Sequence, residues 1–147
     1  MYAEIVSIGH ELLMGEIQDS NAAYLASRLP ALGIQLRWVS TVGDDTALLA
    51  EVLDRSMRRS QISFTTGGLG PTMDDLTREA IAQLMEEQIT EDPHLRVVLE
   101  ERLNPRGIQV GPANLKQATI IPSAVPIPNS QGTAPGWWVE RDGNIII

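Results

Sequence analysis

The sequence QISFTTGGLGPTMDD occupies residues 61–75 and contains, in order, a predicted strand, a glycine turn and two adjacent carboxylates. The apolar and β-branched run before the glycines is typical of a buried strand. Thr72 then fits the N-cap of a following helix, with Asp75 three residues later as in a capping box. A strand, a glycine turn and a helix start in this order point backbone N–H groups at an anion. The stretch therefore predicts a phosphate or pyrophosphate site.

Two neighbouring carboxylates beside a phosphate call for a cation between them. Asp74 and Asp75 would repel a bare phosphate, whereas Mg²⁺ is held by one or two carboxylates together with substrate phosphates. A purely structural role stays open, because acidic residues in a first helical turn complement the helix dipole and glycines permit a tight turn. The known nucleotide motifs fit less well: Met73 stands where a dinucleotide fingerprint needs glycine, and a Walker A lysine is absent.

Strands and helices alternate along the chain. Strands are predicted over residues 3–8 and 34–42, and helices begin at Asp19, at Asp45 and at Asp92. This alternation indicates βαβ units and a largely parallel sheet. Five prolines between residues 111 and 136 predict short strands between loops, and Asp142-Gly143 predicts a hairpin turn near the end of the chain.

The parallel sheet predicts where a ligand binds. In open α/β sheets ligands lie beyond the carboxyl ends of the strands. Three predicted strand ends lead into residues 9–11, 43–45 and 67–68, so we expect these loops at one edge, with Asp44 and Asp45 serving mainly as caps. Residues 129–136 are rich in small side chains, and we expect this loop to join the same pocket.

Composition narrows the classes of function. The chain has 147 residues, suits a single domain, and carries a formal net charge of −8, which argues against a nucleic-acid surface. Its one basic cluster, Arg55, Arg58 and Arg59, is predicted to face solvent at a helix end. The absence of cysteine excludes disulfides, thiolate catalysis and cysteine-ligated zinc, and the two histidines form no paired zinc pattern.

Localisation and completeness are also expectations. The N-terminus lacks a signal peptide, and no apolar run approaches the roughly 18 residues of a membrane span, so we expect a soluble cytoplasmic protein. The chain ends inside an apolar run, Ile145–Ile147, and we therefore expect residues 1–147 to be one domain truncated at its C-terminal end.

The motifs resemble those of a known family. Residues 67–77 resemble the signature of molybdopterin-binding-like domains in molybdenum-cofactor biosynthesis proteins. The whole chain more closely resembles the N-terminal domain of the CinA (competence/damage-inducible) family, through residues 9–15, 19–21, 42–44, 67–75, 116–118 and 129–136. The resemblance implies a three-layer α/β/α fold with a predominantly parallel, mixed sheet. His10 departs from the family, in which Asp, Asn or Thr is more frequent at that position.

The resemblance also implies a function. In CinA-like proteins this domain is associated with divalent-metal-dependent ADP-ribose pyrophosphatase activity, and nicotinamide mononucleotide deamidase activity belongs to a further C-terminal domain. In the molybdenum-cofactor relatives the functional aspartate corresponds to Asp75, and an arginine stands where this chain has Asp74. The change removes a phosphate-binding cation and favours the CinA interpretation. Molybdopterin binding or adenylylation, and a non-catalytic nucleotide-binding module, remain alternatives.

The sequence hypothesis assigns a role to each part of the site. Asp74 and Asp75 would hold a divalent metal ion, Mg²⁺ or a transition metal such as cobalt, whose bound water attacks phosphorus. Lys116, the only lysine of the chain, would stabilise charge on the leaving oxygen, and Glu11 would be the base. The partner would be a small nucleotide diphosphate, with no nucleic acid or membrane, and homo-oligomerisation is left open. The predicted phosphate-binding residues are Gly9, Gly67, Gly68, Gly70, Pro71, Thr72, Asn129, Gly132, Thr133 and Ala134.

Overall fold

The structure is a computed structural model that describes residues 1–147. Strands alternate with helices from the start of the chain. The strands are β1 (Tyr2–Ile8), β2 (Gln35–Val42), β3 (Ile62–Thr66), β4 (Thr90–Glu91), β5 (Thr119–Ile120), β6 (Val125–Ile127), β7 (Gly136–Arg141) and β8 (Asn144–Ile146). The helices are α1 (His10–Leu13), α2 (Ser20–Arg28), α3 (Thr46–Arg59), α4 (Thr77–Met85), α5 (Pro93–Leu103) and α6 (Pro112–Leu115). None of the helices combines the length and apolar character needed to cross a bilayer.

Six strands form one mixed sheet in the order β2-β1-β3-β8-β7-β6. The first four are parallel to one another, β7 pairs with β8 in the antiparallel sense, and β6 pairs with β7 in the antiparallel sense at the edge. The short strands β4 and β5 pair with each other outside this sheet. The prediction of a predominantly parallel, mixed sheet is confirmed.

Helices cover both faces of the sheet, which gives the predicted three layers. Residues of β1 alternate between two cores, as expected for a central parallel strand that is buried on both faces. On one face, α3 and α4 pack together over a core that includes Val6 and Ile8. On the other face, α2 covers a smaller core that includes Ala3 and Ile5.

The three predicted helix starts are confirmed by their hydrogen bonds. The side chains of Asp19, Asp45 and Asp92 each accept a hydrogen bond at 2.8 Å from the backbone N–H three residues later. Such a bond satisfies an amide that has no partner inside the helix. The predicted hairpin is also present between β7 and β8, where Asp142 and Gly143 have φ of 54° and 79°.

The helix after the glycine turn begins later than predicted. It starts at Thr77, and the N-cap assignment of Thr72 is wrong. The carboxylate of Asp75 accepts hydrogen bonds from the hydroxyl and the N–H of Thr72, three residues earlier. These bonds hold residues 72–75 in a turn instead of a helix. The predicted loop after β1 also differs, because it opens with the single helical turn α1, whose His10 N–H donates to the Asp44 carboxylate at 3.1 Å.

The prediction that the basic cluster faces solvent is wrong for Arg59. Glu4 is fully buried in β1, and the guanidinium of Arg59 donates to its two carboxylate oxygens at 2.7 and 2.6 Å. The Ser40 hydroxyl also donates to Glu4, and the Arg59 guanidinium carbon lies 4.9 Å from the centroid of the Trp38 ring. The two partners are far apart in sequence, so local pattern analysis does not reveal this pair.

The pair makes stability depend on pH. Burial alone would raise the pKa of Glu4, but the hydrogen bonds from Arg59 and serine hydroxyls outweigh burial, and the pKa lies below its ordinary value of 4.5. A carboxylate with a lowered pKa in the folded state stabilises the protein above its unfolded pKa. This contribution is therefore lost as the pH falls below 4.5.

We predict that Arg59→Met lowers the free energy of unfolding by at least about 2 kcal/mol. Removing one partner of a buried pair costs about 3–5 kcal/mol, and the partial exposure of Arg59 reduces this value. Arg58→Met is the matched control, because Arg58 is 77% exposed and pairs only with Asp54, so we expect a change within about 0.5 kcal/mol. Urea unfolding of both variants at neutral pH measures the difference. Equal losses would contradict a special role for Arg59.

Candidate functional site

The glycine loop, residues 67–76 between β3 and α4, has a backbone that requires glycine at two positions. Gly67 and Gly68 have φ of 102° and 63°. A Cβ atom on Gly67 would lie 2.0 Å from the carbonyl oxygen of Ile8, and one on Gly68 would lie 2.3 Å from Oγ1 of Thr77. Side chains are strained at such φ values and would also collide here, so the loop conformation depends on both glycines.

Three consecutive backbone amides of this loop, those of Gly67, Gly68 and Leu69, donate no hydrogen bond within the protein. The carbonyls of the two glycines are turned towards α4, where Thr77 donates to them from its hydroxyl at 2.8 Å and its N–H at 3.2 Å. Successive unbonded N–H groups in a turn form an anion-binding concavity. The loop therefore has the donors that the sequence predicts for a phosphate.

Asp75 holds the glycine loop together. Its Oδ1 accepts from the N–H of Gly70 at 2.8 Å, and its Oδ2 accepts from the N–H and hydroxyl of Thr72 at 2.8 and 2.5 Å. Burial alone would raise the pKa of Asp75, but these hydrogen bonds and the charge of Lys116 outweigh burial and lower the pKa. Both carboxylate oxygens are thus engaged within the loop, whereas Asp74 is exposed and makes no hydrogen bond.

Lys116 binds the carbonyl groups of the glycine loop. Its ammonium donates to the carbonyl oxygens of Thr72, at 3.1 Å, and Asp75, and lies 3.0 Å from the Glu79 carboxylate. Two of the three ammonium donors are thus bonded to loop carbonyls, and Glu79 is the ion-pair partner of the charge. The sequence analysis predicts Lys116 as a point charge for phosphate, but in the structure its charge is bound within the protein.

Arg78 is the functional candidate that sequence analysis misses. Its side chain is fully buried, and Nη1 donates to the carbonyl of Leu69 at 2.8 Å, while Nε and Nη2 have no partner. Burial lowers the pKa of Arg78 to about 10, so the group remains a cation at neutral pH. The helical spacing of the sequence indicates this burial. Arg78 precedes Ile81 by three residues and Ala82 by four, so it lies on the buried face of α4.

Convergence of residues 129–136 with the other two loops on one ligand stays a prediction. Glu11 and Gly67 line one cavity, whereas Asn129 and Thr133 line another one, next to α5. The Asn129 side chain closes its own loop, accepting from the N–H of Gly132 at 2.9 Å and donating to the carbonyl of Ala134 at 3.0 Å. Asn129, Gly132 and Ala134 thus bond to one another, and the Thr133 hydroxyl donates to Oε1 of Gln117, the neighbour of Lys116, at 2.9 Å.

Several other predicted site residues have clear positions. The Glu11 carboxylate is exposed and lies close to Gly9, since a Cβ there would be 2.5 Å from its Oε1. Asp45 caps α3, as expected from the sequence, whereas the Asp44 carboxylate accepts from the His10 N–H at the start of α1. Pro71 is half-buried within the glycine loop.

The side chains alone do not complete a metal site. No group of three or more His, Cys, Asp or Glu side chains is arranged to hold a metal ion. Both carboxylate oxygens of Asp75 accept hydrogen bonds from the loop, so Asp74 is the carboxylate of the pair without a hydrogen bond. A divalent ion here would need phosphate oxygens from a ligand as well as protein oxygens.

A family profile described as a probable molybdopterin binding domain matches residues 4–147. The chain belongs to this family. A CinA-like protein of Thermomicrobium roseum is 51% identical over all 147 residues, and a putative competence-damage inducible protein of Halothermothrix orenii is 47% identical over the same length. The chain spans 36% of the length of each of these relatives.

Solved structures place the chain more narrowly within the molybdopterin-binding family. A crystal structure of the protein CinA from Thermoplasma acidophilum, described as of unknown function, superposes with a TM-score of 0.91 at 31% identity and covers 99% of this chain and 85% of that one. The molybdopterin biosynthesis enzyme MoaB from Thermus thermophilus superposes with a TM-score of 0.63 at 18% identity, covering 99% and 77%, which shows a shared fold. The domain is thus a CinA-type member of the family.

We predict that Asp75→Asn destabilises the protein by about 1–3 kcal/mol, because an amide group cannot accept all of the hydrogen bonds that the carboxylate accepts. The neighbouring variant Asp74→Asn removes the same charge from an exposed, unbonded side chain and should change stability by less than about 0.5 kcal/mol. Chemical unfolding measures both variants. Since the pKa of Asp75 is lowered in the folded state, the loss should diminish as the pH falls below 3.8. Equal stability of the two variants would contradict the role of Asp75 in the loop.

Proposed function

We propose that this domain binds a phosphorylated ligand of the molybdopterin type, with the phosphate at the glycine loop. The observation that carries the proposal is the set of three consecutive unbonded amides, Gly67, Gly68 and Leu69, at the carboxyl end of β3. Buried or loop amides normally find a partner, and anionic oxygens are suitable acceptors for such a set. The family description supports a phosphorylated pterin as the ligand.

Preorganisation of the loop supports binding. Asp75 accepts from the amides of Gly70 and Thr72, and Lys116 and Arg78 donate to loop carbonyls. These bonds keep the free amides in their orientation without a ligand. A rigid site avoids the entropy cost of ordering a loop on binding. The chain has a net charge of −8, and the buried Arg78 supplies a local positive charge that partly offsets the repulsion of an anion.

We predict that Gly68→Ala weakens the binding of inorganic pyrophosphate and of neopterin monophosphate by at least about tenfold, because the clash with Thr77 reorients the amides. Gly107→Ala is the matched control: Gly107 has a similar φ of 72° but nothing lies within 4 Å of its Cβ position. Both variants therefore carry the same backbone strain, and only the first has the clash.

Isothermal titration of both variants measures the affinities, and neopterin without phosphate reports the contribution of the phosphate group. The proposal predicts that neopterin binds more weakly than its monophosphate. Equal affinity of the Gly68 and Gly107 variants, or no binding of either phosphorylated probe by the unmutated domain, would contradict the proposal.

Hydrolysis of a diphosphate such as ADP-ribose is a second candidate function. Its specific support is Asp74, an exposed carboxylate without a partner in the loop that would hold the phosphates. With a divalent ion bound between Asp74 and the ligand, Glu11 in the adjoining cavity is the candidate base. Lys116 would reach a leaving oxygen only after releasing its contacts with Thr72 and Asp75.

For this second candidate we predict that ADP-ribose and water yield AMP and ribose 5-phosphate in the presence of Mg²⁺ or Co²⁺. Asp74→Asn should lower the turnover by at least about tenfold without affecting stability. Chromatographic measurement of AMP tests this directly. Binding of ADP-ribose without any AMP formation would reject the hydrolase and leave the binding function in place.

A further inference from the structure

The amino edge of the sheet, opposite to the glycine loop, has a cavity of about 170 Å³ that the proposed function does not use. The parallel strands β1, β3 and β8 all begin at this edge. The seven residues of β1 span roughly 20 Å at about 3.3 Å per residue, so the cavity and the glycine loop are separate sites. We call it the amino-edge cavity. Its lining contains no acidic residue and includes the side chains of Tyr2, Arg58, Arg59, Gln61 and Asn144.

Gln61 is a fixed hydrogen-bond donor at this cavity. Its side-chain oxygen accepts from the N–H of Tyr2 at 2.5 Å. Its own N–H donates to the carbonyl of Tyr2, and its carbonyl accepts from the N–H of Ile145, both at 3.0 Å. These bonds orient the carboxamide, because only its oxygen can accept from an N–H group. Nε2 of Gln61 makes no hydrogen bond within the protein and remains a donor for a ligand.

Two guanidinium groups add further donors. Arg59 is held in place by Glu4, to which Nε and Nη2 donate at 2.7 and 2.6 Å, and its Nη1 makes no hydrogen bond within the protein. Arg58 is 77% exposed and bonds to Asp54 through Nε alone, so both of its Nη groups are free. The planar fork of a guanidinium matches the oxygens of a carboxylate or a phosphate.

The cations at this edge exceed the carboxylates that they contact. Three guanidiniums share two carboxylates: Arg59 pairs with Glu4, and Arg58 and Arg141 both pair with Asp54. Arg37 lies over the Tyr2 ring, 3.2 Å from its centroid, and pairs with no carboxylate. The carbonyl groups at the end of α3 contribute only about −0.5 of a charge, which is less than the charge of one guanidinium. The amino-edge cavity therefore suits an anion although the whole chain is acidic.

We propose that the amino-edge cavity binds a small dianionic oxyanion, the phosphate or dicarboxylate group of a metabolite, between the guanidiniums of Arg58 and Arg59 and Nε2 of Gln61. Two of these donors are fixed by the fold, and the exposed Arg58 side chain closes on the anion. The Glu4–Arg59 pair then has a second role, since it keeps Nη1 of Arg59 in position for the ligand. The inference does not depend on ligand binding at the glycine loop.

Titration of the unmutated domain with inorganic phosphate and with malonate tests this site, with the backbone amides followed by NMR. The amides of residues 59–61 and 144–145 and the indole N–H of Trp38, which lies against Arg59, should shift together and saturate. The amides of residues 67–69 report the glycine loop in the same spectra. Tighter binding of phosphate or of malonate at the amino edge identifies which of the two groups the cavity prefers.

Gln61→Glu is the variant that tests the donor. Glutamate keeps the oxygen that accepts from Tyr2 and replaces Nε2 by a carboxylate oxygen, so we expect phosphate affinity at the amino edge to fall by at least about tenfold. Gln109→Glu is the matched control. It places the same charge on an exposed side chain outside the cavity, and we expect a change of less than about twofold.

The outcomes separate this inference from the proposed function. Shifts at residues 67–69 without shifts at the amino edge would overturn the inference while the proposed function stands, and the reverse result would reject the proposed function alone. Equal losses of affinity in Gln61→Glu and Gln109→Glu would show a response to overall charge and would also overturn the inference. Should Gln61→Glu fail to fold, Arg58→Gln takes its place, because Arg58 is exposed and pairs only with Asp54. An unchanged phosphate affinity of that variant would contradict the site.

Discussion

The carboxylate of Asp75 accepts three hydrogen bonds from Gly70 and Thr72, and the shape of the glycine loop depends on these bonds. They hold the turn in which residues 72–75 lie, and that turn presents its carbonyls to Lys116. The side chain of Asp75 and the lysine bond to the amides of Gly70 and Thr72 and to the carbonyls of Thr72 and Asp75, whereas the consecutive amides of Gly67, Gly68 and Leu69 donate no hydrogen bond. One carboxylate thus holds the turn that follows these three amides.

The glycine loop has unbonded N–H donors although the protein is acidic, and two cations lie beside this loop. Lys116, the only lysine, donates to the carbonyl oxygen of Asp75, and the buried Arg78 donates to that of Leu69. Neither cation is free at the surface, and each acts through the backbone that it positions. Both cations therefore lie against the backbone of the loop, whereas the adjoining cavity is lined by the carboxylates of Glu11 and Asp19.

Local chemistry explains which features were predictable from the sequence. The capping aspartates, the hairpin at Asp142-Gly143 and the strand before the glycines depend on neighbours within a few residues, and all three are confirmed. The Glu4–Arg59 pair depends on chain segments that meet only in the folded protein, so a surface position was predicted for Arg59. The same limit applies to Oδ2 of Asp19, which is buried without a hydrogen-bond partner, since a capping motif in sequence gives no information on the second oxygen.

Competition between local hydrogen bonds explains the remaining error at the glycine loop. Thr72 and Asp75 have the spacing of a capping box, and they do bond to each other. The bond closes a turn, however, and the helix begins only at Thr77. The spacing of two residues therefore predicted the contact correctly and the backbone conformation wrongly.

The position of β8 in the sheet also constrains the route by which the protein folds. This strand lies between β3 and β7, with Ile62 beside Ile145, so the central hydrogen-bond ladder joins segments that are remote along the chain. The free edge of β3 stays unpaired until residues 144–147 have formed and docked. Ladders between distant segments close slowly because the intervening loop must lose its entropy first. We therefore expect the β8–β7–β6 half of the sheet to be added late, after the β1–β2–β3 half that leads into the glycine loop is in place.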